Sequence, residues 1–234
     1  MHHAEDTRPG PLGESGFATG LRWAETADAQ ALAGSLTAQL EGREVVKNPH
    51  ATMAWARQAV RSPALVEEVA GLLGGSVAVE NTFLILKPPS SAFTVPWHQD
   101  GINERLQLDP GLAVTAWLSI SGADADNGAV AVLPGSHTAG WRPFTADAAT
   151  GPEGSGRGRP LVIAEPSDAD QACVVAVPAG EALLMDVRLL HRSGPNTTAR
   201  HRIALNIRYV APGGVRPRGG HPMPQLDRVC GPGW

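Results

Sequence analysis

Helical periodicity dominates the first third of the chain. Residues 26–42 place apolar side chains three or four positions apart, at Ala27, Ala31, Leu32, Leu36 and Leu40. This spacing predicts an amphipathic helix, and a second helix is predicted over about 50–60. A third helix is predicted to begin at Ser62-Pro63, a start signal, and to end at Gly74-Gly75.

The pattern changes to strand-like alternation after Gly75. Within 113–121, apolar residues at every second position alternate with Thr115, Trp117 and Ser119. Further strands are predicted at 76–87, 129–133, 174–177, 182–187 and 203–210. Helices followed by many short strands predict an α+β protein, mainly β, with a jelly-roll body and the N-terminal helices packed on it.

Glycine and proline mark three segments outside this pattern. Residues 1–20 and the Pro/Gly-rich tail 212–234 are expected to be loosely ordered, leaving one domain over 21–211, helical at 26–74 and jelly-roll at 76–211. The third segment, 141–168, contains the glycine-rich insert 151–158 and no convincing strand. A long loop of this kind is predicted to fold over the site when substrate binds, with a passive insertion as the alternative.

Composition narrows the possible functions. The chain has 234 residues, is 42% hydrophobic and carries a formal net charge of −4, which fits one globular domain, as a monomer or homodimer, and argues against nucleic acid or anionic membranes as partners. No apolar run reaches the roughly 20 residues of a membrane span. Two distant cysteines, Cys173 and Cys230, and an N-terminus without the features of a signal peptide predict a cytoplasmic protein with reduced thiols.

Two histidines and one aspartate carry the strongest chemical signal. His98 and Asp100 are two positions apart, so on a strand both side chains point to the same side, and His191 follows a predicted strand much later. Two imidazoles and a carboxylate can cover one face of an octahedral Fe(II), leaving three positions for a cosubstrate and O₂. Beyond His191, Arg202 can anchor the distal carboxylate of 2-oxoglutarate. Arg200 is a competing anchor on the same face, although the spacing favours Arg202.

Five stretches occur in an order that resembles a known family. They are Asn81–Pro89, Trp97–Asp100, Val114–Leu118, Asn127–His137 and Leu190–Asn196. Together, over about residues 76–210, they resemble the phytanoyl-CoA dioxygenase family. The resemblance implies a double-stranded β-helix (a cupin-like jelly roll) and an Fe(II)- and 2-oxoglutarate-dependent oxygenase.

The resemblance also implies roles for individual residues. His98, Asp100 and His191 match the iron ligands, and Arg202 matches the carboxylate anchor, with Ser193 as a hydroxyl donor to the same carboxylate. Three more positions match cosubstrate contacts: Asn81, Trp117 and Gln99. Asn81 departs from the histidine found in some members, although an amide can also donate to a carboxylate. Trp117 could instead fill the barrel, and the Gln99 side chain points away from its two neighbours in a regular strand.

The ligand set and the strand after it limit the reaction. One face of the strand carries Arg202, Ala204, Asn206 and Arg208, so if Arg202 points into the barrel, Asn206 does too. A polar amide in the barrel interior indicates a binding site rather than an apolar core. In halogenating members of the superfamily a small residue replaces the carboxylate ligand. Asp100 fills that position, so hydroxylation or a related oxidation is predicted.

The substrate is less well specified by the sequence. Loops around the predicted open end supply a mixed aromatic and cationic set: Phe93, Trp97, Asn103, Arg105, Trp141, Arg188, Arg192 and Asn206. Such a set fits a small, partly polar molecule with an acid or carbonyl group, although any one of the arginines could simply be solvated. The absence of a basic surface for a nucleotide disfavours acyl-CoA, and the Ala-, Gly- and Arg-rich composition favours a secondary-metabolite intermediate or an amino-acid-like compound.

The predicted reaction is hydroxylation with release of succinate and CO₂. Desaturation, cyclisation and epimerisation share its oxidising step, and sequence does not separate them from hydroxylation. Two alternatives from other classes are a jelly-roll protein that binds metal without turnover, and a zinc-dependent hydrolase or isomerase. Neither alternative explains why Ser193 and Arg202 follow His191.

Overall fold

The computed structural model describes residues 12–146 and 161–234 of the chain. In these residues, four helices lie in the N-terminal third of the chain. They are α1 (Thr26–Gln39), α2 (Pro49–Thr52), α3 (Ala54–Ala59) and α4 (Pro63–Leu73). The region predicted as one helix over 50–60 is therefore two short helices, because Met53 between them is extended. Gly74 ends α4 in the left-handed conformation that glycine favours.

Fifteen strands follow or flank these helices in the described part of the chain. Their bounds are β1 Phe17–Arg22, β2 Val45–Lys47, β3 Val77–Lys87, β4 Val95–His98, β5 Leu106–Leu108, β6 Ala113–Ser119, β7 Val130–Val132, β8 Thr145–Ala146, β9 Leu161–Val162, β10 Cys173–Val175, β11 Glu181–Asp186, β12 His191–Ser193, β13 Arg202–Val210, β14 Val215–Pro217 and β15 Asp227–Cys230. All six strands predicted from alternation are present, with bounds shifted by a few residues.

Two antiparallel sheets form the body of the protein. The larger has the order β1-β11-β6-β13-β3-β15, with β2 also paired to β3, and the smaller has the order β10-β7-β12-β4. Strands far apart in sequence, such as β4 and β12, become neighbours, as a jelly roll requires. The mainly β jelly-roll fold predicted from the sequence is confirmed.

The two faces of the larger sheet have different partners. On one face, leucine and isoleucine side chains from β3, β6 and β13 pack against Leu36 of α1 and Leu65 and Val69 of α4. The other face turns toward the smaller sheet, where Trp117, Val130, Val132 and Met185 form a second cluster. The helices thus stabilise the outside of the large sheet and leave its inner face for a site.

The two terminal segments are more ordered than the sequence suggests. Residues 17–20, expected to be loose, belong to β1, which pairs with β11. In the tail, β14 pairs with β5 and β15 pairs with β3. The tail shows little alternation of apolar and polar residues, so its sequence does not predict strands. It is ordered because β15 pairs with the backbone groups along one edge of β3.

The predicted loop 141–168 lies only partly within the described residues. Its glycine-rich insert 151–158 falls outside them, while β8 and β9 at its two ends form a small antiparallel pair, contrary to the expectation of no strand. Backbone bonding connects it to β4, since the Ile163 N–H donates to the Trp97 carbonyl at 2.8 Å. No helix in the described ranges is long and apolar enough to cross a membrane.

Candidate metal centre

Neighbouring strands of the smaller sheet bring the two histidines together. His98 is the last residue of β4 and His191 is the first residue of β12, and the two are directly paired across the antiparallel ladder. Their ring centroids lie 4.0 Å apart. Asp100 follows β4 by two residues, so all three predicted ligands lie in one cluster, with their ligand atoms within 4.8 Å of one another.

Backbone carbonyls fix the orientation of both imidazole rings. The Nδ1 of His98 lies 2.8 Å from the Pro96 carbonyl oxygen, and the Nδ1 of His191 lies 3.0 Å from the Leu189 carbonyl oxygen. A carbonyl only accepts, so each Nδ1 carries a hydrogen, and in a neutral ring this leaves the lone pair on Nε2 for a metal. Burial and the neighbouring His191 lower the pKa of His98 to about 4, which keeps its ring neutral and able to bind a metal.

The Asp100 carboxylate is held from the larger sheet. The Asn206 amide donates to its Oδ2 at 3.0 Å, and the Arg208 guanidinium donates to its Oδ1 at 3.2 Å. Burial by itself would raise the pKa of Asp100, but Arg208 and the two histidines outweigh burial and hold it well below its usual range. The carboxylate therefore stays ionised, with each oxygen oriented by one donor.

This donor set fits a divalent metal. The Nε2 atoms of His98 and His191 lie 3.7 Å and 3.8 Å from the nearer Asp100 oxygens, a spacing that one ion at ordinary bond lengths of about 2.0–2.2 Å can bridge. Two imidazoles and one carboxylate on one side leave the opposite side open to the cavity. This arrangement is typical of iron sites that admit a cosubstrate and O₂.

A buried cation lies in the same cavity. Arg202 is only 1% exposed; one of its terminal nitrogens donates to the Gly128 carbonyl at 2.7 Å, and its Nε has no partner among the described residues. Burial lowers its pKa to about 9, so it remains a cation at neutral pH. The competing Arg200 is exposed, bonds Asp124 at 2.9 Å and does not line the cavity.

The cavity around the cluster has a volume of about 900 Å³. Most of the predicted site residues line it: His98, Asp100, His191, Arg202, Ser193, Asn81, Trp117, Phe93, Asn103, Arg105, Arg192 and Asn206. The Trp117 ring stacks beneath the Arg202 guanidinium, 5.5 Å from its centre. Arg192 borders the cavity, but its exposed side chain lies 4.9 Å over the Trp97 ring on the outer face of the smaller sheet and pairs with Glu165.

Gln99 also borders the cavity, but its amide is fully engaged elsewhere. Its nitrogen donates to the carbonyls of Gly140 and Arg188, and its oxygen accepts from the Arg142 N–H. The predicted cosubstrate contact of Gln99 is therefore wrong for this side chain. Gln99 lies between the metal ligands His98 and Asp100, so its side chain points away from the cavity. Its hydrogen bonds link residues 140–142 to the turn at Arg188.

Three predicted substrate residues do not reach the cavity. Trp97 alternates with His98 on β4 and packs with Leu133, Ile163 and Leu190 on the outside of the smaller sheet. Trp141 packs near Val187 over Gly101. Arg188 is fully buried, and its guanidinium bonds both oxygens of Asp186 at 3.0–3.1 Å. Each side chain stabilises the scaffold, so its assignment to substrate is corrected.

We expect Arg188→Ala to destabilise the protein by about 3–5 kcal/mol, because the buried Asp186 carboxylate would lose its charged partner. Thermal or urea unfolding measures this loss. The matched control is Arg192→Ala, which removes an exposed arginine and should change stability by less than about 0.5 kcal/mol. Equal stability of the Arg188 variant and the wild type would contradict the structural role of this ion pair.

Several cavity residues were not singled out as site residues in the sequence. Phe83 and Ile85 lie on the same face of β3 as Asn81, so their two-residue spacing is the signal that could have identified them. Arg208 shares the Arg202 face in the same way. Lys47 and Met223 come from a short strand and from the C-terminal tail, where no pattern indicates an approach to the site.

Known proteins resemble this chain in sequence and in fold. The model of the phytanoyl-CoA dioxygenase (PhyH) family matches residues 19–204. A Stutzerimonas stutzeri protein named "Probable alpha-ketoglutarate-dependent hypophosphite dioxygenase" is 32% identical over 168 residues, which cover 71% of this chain and 56% of that protein. The chain thus spans about half the length of the curated relatives it matches.

Solved structures show the same architecture. The non-heme monooxygenase ThoJ superposes with a TM-score of 0.74 at 27% identity, covering 94% of this chain and 82% of ThoJ. EvdO2 from Micromonospora carbonacea var. aurantiaca, solved in complex with 2-oxoglutarate, gives a TM-score of 0.68 at 18% identity, covering 96% of this chain and 95% of EvdO2. At that identity, the EvdO2 match supports the fold.

Proposed function

Since this chain belongs to the phytanoyl-CoA dioxygenase family, we propose that it is an Fe(II)- and 2-oxoglutarate-dependent oxygenase that hydroxylates a small molecule. One observation carries the proposal: a cluster of two histidines and one aspartate shares a cavity with the buried cation Arg202. A metal-binding protein without turnover, or a zinc hydrolase, has no need of a buried anchor for a second carboxylate beside the metal.

Different residues of the cavity would bind the metal and the cosubstrate. His98, Asp100 and His191 would hold Fe(II), while Arg202 and Ser193 would fix the distal carboxylate of 2-oxoglutarate through charge-assisted hydrogen bonds. Bound together, Fe(II) and 2-oxoglutarate supply the oxidation of a C–H bond by O₂: one oxygen atom enters the product, and the other enters succinate as CO₂ leaves.

The protein's own contribution is orientation. Asn206 and Arg208 keep the Asp100 carboxylate in one position, and the two backbone carbonyls keep the imidazoles in one tautomer. Ligands held in this way need little rearrangement when the metal and cosubstrate bind. The Trp117 ring, packed against Arg202, supplies an apolar wall that strengthens the charge interaction by excluding water.

The cavity size favours the larger of the two predicted substrate types. At about 900 Å³ it is near the upper end of ordinary ligand sites, roughly 300–1,000 Å³. 2-Oxoglutarate would fill only a small part, and the remaining space is lined by Phe83, Ile85 and Phe93 together with the cations Lys47 and Arg105. The lining also includes Glu80 and Glu104. This mixture supports a drug-sized secondary-metabolite intermediate with both apolar and polar parts, rather than a free amino acid.

A cytoplasmic location is part of the same proposal. Both cysteines are free thiols in the structure, which fits a reducing compartment. The oligomeric state, monomer or homodimer, stays a prediction. A small molecule is the partner that the cavity supports.

Turnover of 2-oxoglutarate is the direct test. We expect the purified protein with Fe(II), 2-oxoglutarate and O₂ to release succinate slowly without substrate and faster with a substrate, as detected by mass spectrometry. A screen of aromatic and polycyclic acids against free amino acids tests the substrate class. A product that gains one oxygen atom supports hydroxylation, one that loses two hydrogens indicates desaturation or cyclisation, and one of unchanged mass indicates epimerisation. Metal binding without any 2-oxoglutarate binding or succinate would contradict the proposed reaction.

A further inference from the structure

A second buried basic side chain lies directly beside the proposed anchor. Lys87 is the last residue of β3, and its backbone is paired with that of Arg202 on β13. Its side chain is 0% exposed, and no described carboxylate forms an ion pair with it. Burying two adjacent basic side chains without an acidic partner is costly when both are charged, which indicates that an anion completes the site.

The Lys87 ammonium bonds the segment that carries Ser193. Its Nζ donates to the Ser193 Oγ at 2.9 Å and to the Ser193 carbonyl at 3.3 Å, and it also donates to the Gly194 carbonyl. The three acceptors match the three N–H groups of an ammonium. The Phe93 ring lies 5.4 Å from Nζ and closes another side by a cation–π contact.

These contacts determine where the Ser193 hydroxyl hydrogen can go. Its oxygen accepts from Lys87 and, at 3.4 Å, from Arg202, so both lone pairs are directed toward cations. Arg202 and the protonated Lys87 cannot accept a hydrogen bond, and no described residue accepts from this hydroxyl. Because Ser193 lines the cavity, its hydrogen is left for an acceptor bound there.

We propose that Lys87 is a positioning residue for 2-oxoglutarate, holding the Ser193 hydroxyl so that it donates to the distal carboxylate that Arg202 binds. This inference rests on the proposed function, because it assumes that 2-oxoglutarate is the anion in the site. Lys87 itself does not line the cavity and acts through Ser193.

Protonation of Lys87 strengthens the same arrangement. Burial and the field of Arg202, the one charged group among the described residues whose field acts on it, lower the pKa of Lys87 to about 6. A bound carboxylate opposes this shift and raises the pKa again. Near pH 7.5, 2-oxoglutarate binding should therefore take up a proton, and affinity should fall as the pH rises through the pKa of the complex.

The test is a double-mutant cycle measured as binding rather than activity. Calorimetric titration of 2-oxoglutarate into the Mn(II)-loaded protein without O₂ gives dissociation constants for the wild type, Lys87→Met, Ser193→Ala and the double variant. We expect Lys87→Met to weaken binding by about 10- to 100-fold, as for the loss of a charged hydrogen bond. In the Ser193→Ala background, the same substitution should weaken binding by less than about threefold, because the hydroxyl that Lys87 orients is absent.

Controls separate the possible failures. Arg200→Met, which removes an exposed cation outside the cavity, should bind 2-oxoglutarate as the wild type does. Wild-type affinity in Lys87→Met, or equal losses in both backgrounds, would overturn the role of Lys87 while leaving the proposed function intact. A wild-type protein that binds Mn(II) but not 2-oxoglutarate would overturn both.

Proton uptake on binding provides a second measurement that does not depend on affinity. Titrating the wild type at pH 7.5 in buffers of different ionisation enthalpy counts the protons that accompany 2-oxoglutarate binding. Net uptake in the wild type that disappears in Lys87→Met supports the proposal. Uptake that is unchanged in Lys87→Met would come from another group and would overturn the coupling of Lys87 to the bound carboxylate.

Discussion

Alanine at His98, Asp100 or His191 is expected to abolish 2-oxoglutarate-dependent succinate formation and to weaken Fe(II) binding by several orders of magnitude. Each substitution removes one of three ligands from a site that offers no replacement among the described residues. The fold should survive, because these side chains line a cavity and contribute little to the apolar clusters. Calorimetry or metal analysis after dialysis measures the binding, and thermal unfolding measures the fold.

His201→Ala is the matched control for this first prediction. It removes an imidazole that lies close to Arg202 in sequence but outside the metal cavity, so metal affinity and succinate formation should be unchanged. Asp100→Gly is expected to retain more iron than Asp100→Ala, because the smaller residue leaves room for water or chloride as a ligand. Full metal affinity in any one of the three alanine variants would remove that residue from the ligand set.

The ligand cluster could be predicted because a strand alternates its side chains. His98 and Asp100 face one way on β4 and its extension, and the same rule places Trp97 and Gln99 on the other side. Applied strictly, alternation would have excluded both Trp97 and Gln99 from the site. It also makes Phe83 and Ile85 cavity residues once Asn81 is assigned to the inner face.

Buried ion pairs are where the sequence misleads most. An arginine near a metal ligand resembles a substrate contact, and nothing in the local sequence shows that Arg188 turns back onto Asp186. Lys87 is the opposite case, since it ends an apolar strand and is fully buried beside Arg202. Some buried cations pair with a carboxylate of the protein, and others remain available for a ligand. The three-dimensional neighbours of each cation decide this, and sequence spacing does not show them.

The pairing of the C-terminal tail with the large sheet also could not be predicted from the sequence. Its many prolines and glycines predict loose structure, yet β15 completes the edge of the large sheet. The tail also brings His221–Gln225 to the cavity. Because backbone pairing supplies most of the order, side-chain patterns carry little information about it.

The second large effect is expected at the carboxylate anchor. Arg202→Ala should weaken 2-oxoglutarate binding by about two to four decades, because loss of one partner from a buried charge pair costs roughly 3–5 kcal/mol. The structure supports this size: Arg202 is 1% exposed, its Nε has no partner among the described residues, and the Trp117 ring shields it from water. Fe(II) binding should change little, since Arg202 forms no contact with the three ligands, so titrations with metal and with 2-oxoglutarate separate the two functions.

Arg200→Ala tests whether the effect belongs to this one guanidinium. Arg200 precedes Arg202 by two residues but is exposed and bonds Asp124 outside the cavity, so its removal should change 2-oxoglutarate affinity by less than about threefold, as is usual for a surface ion pair. Arg202→Lys is the complementary variant: it retains the charge but loses the planar fork, and should recover only part of the affinity. A larger loss in Arg200→Ala than in Arg202→Ala would move the anchor to the outer arginine and would require 2-oxoglutarate to enter the barrel in another orientation.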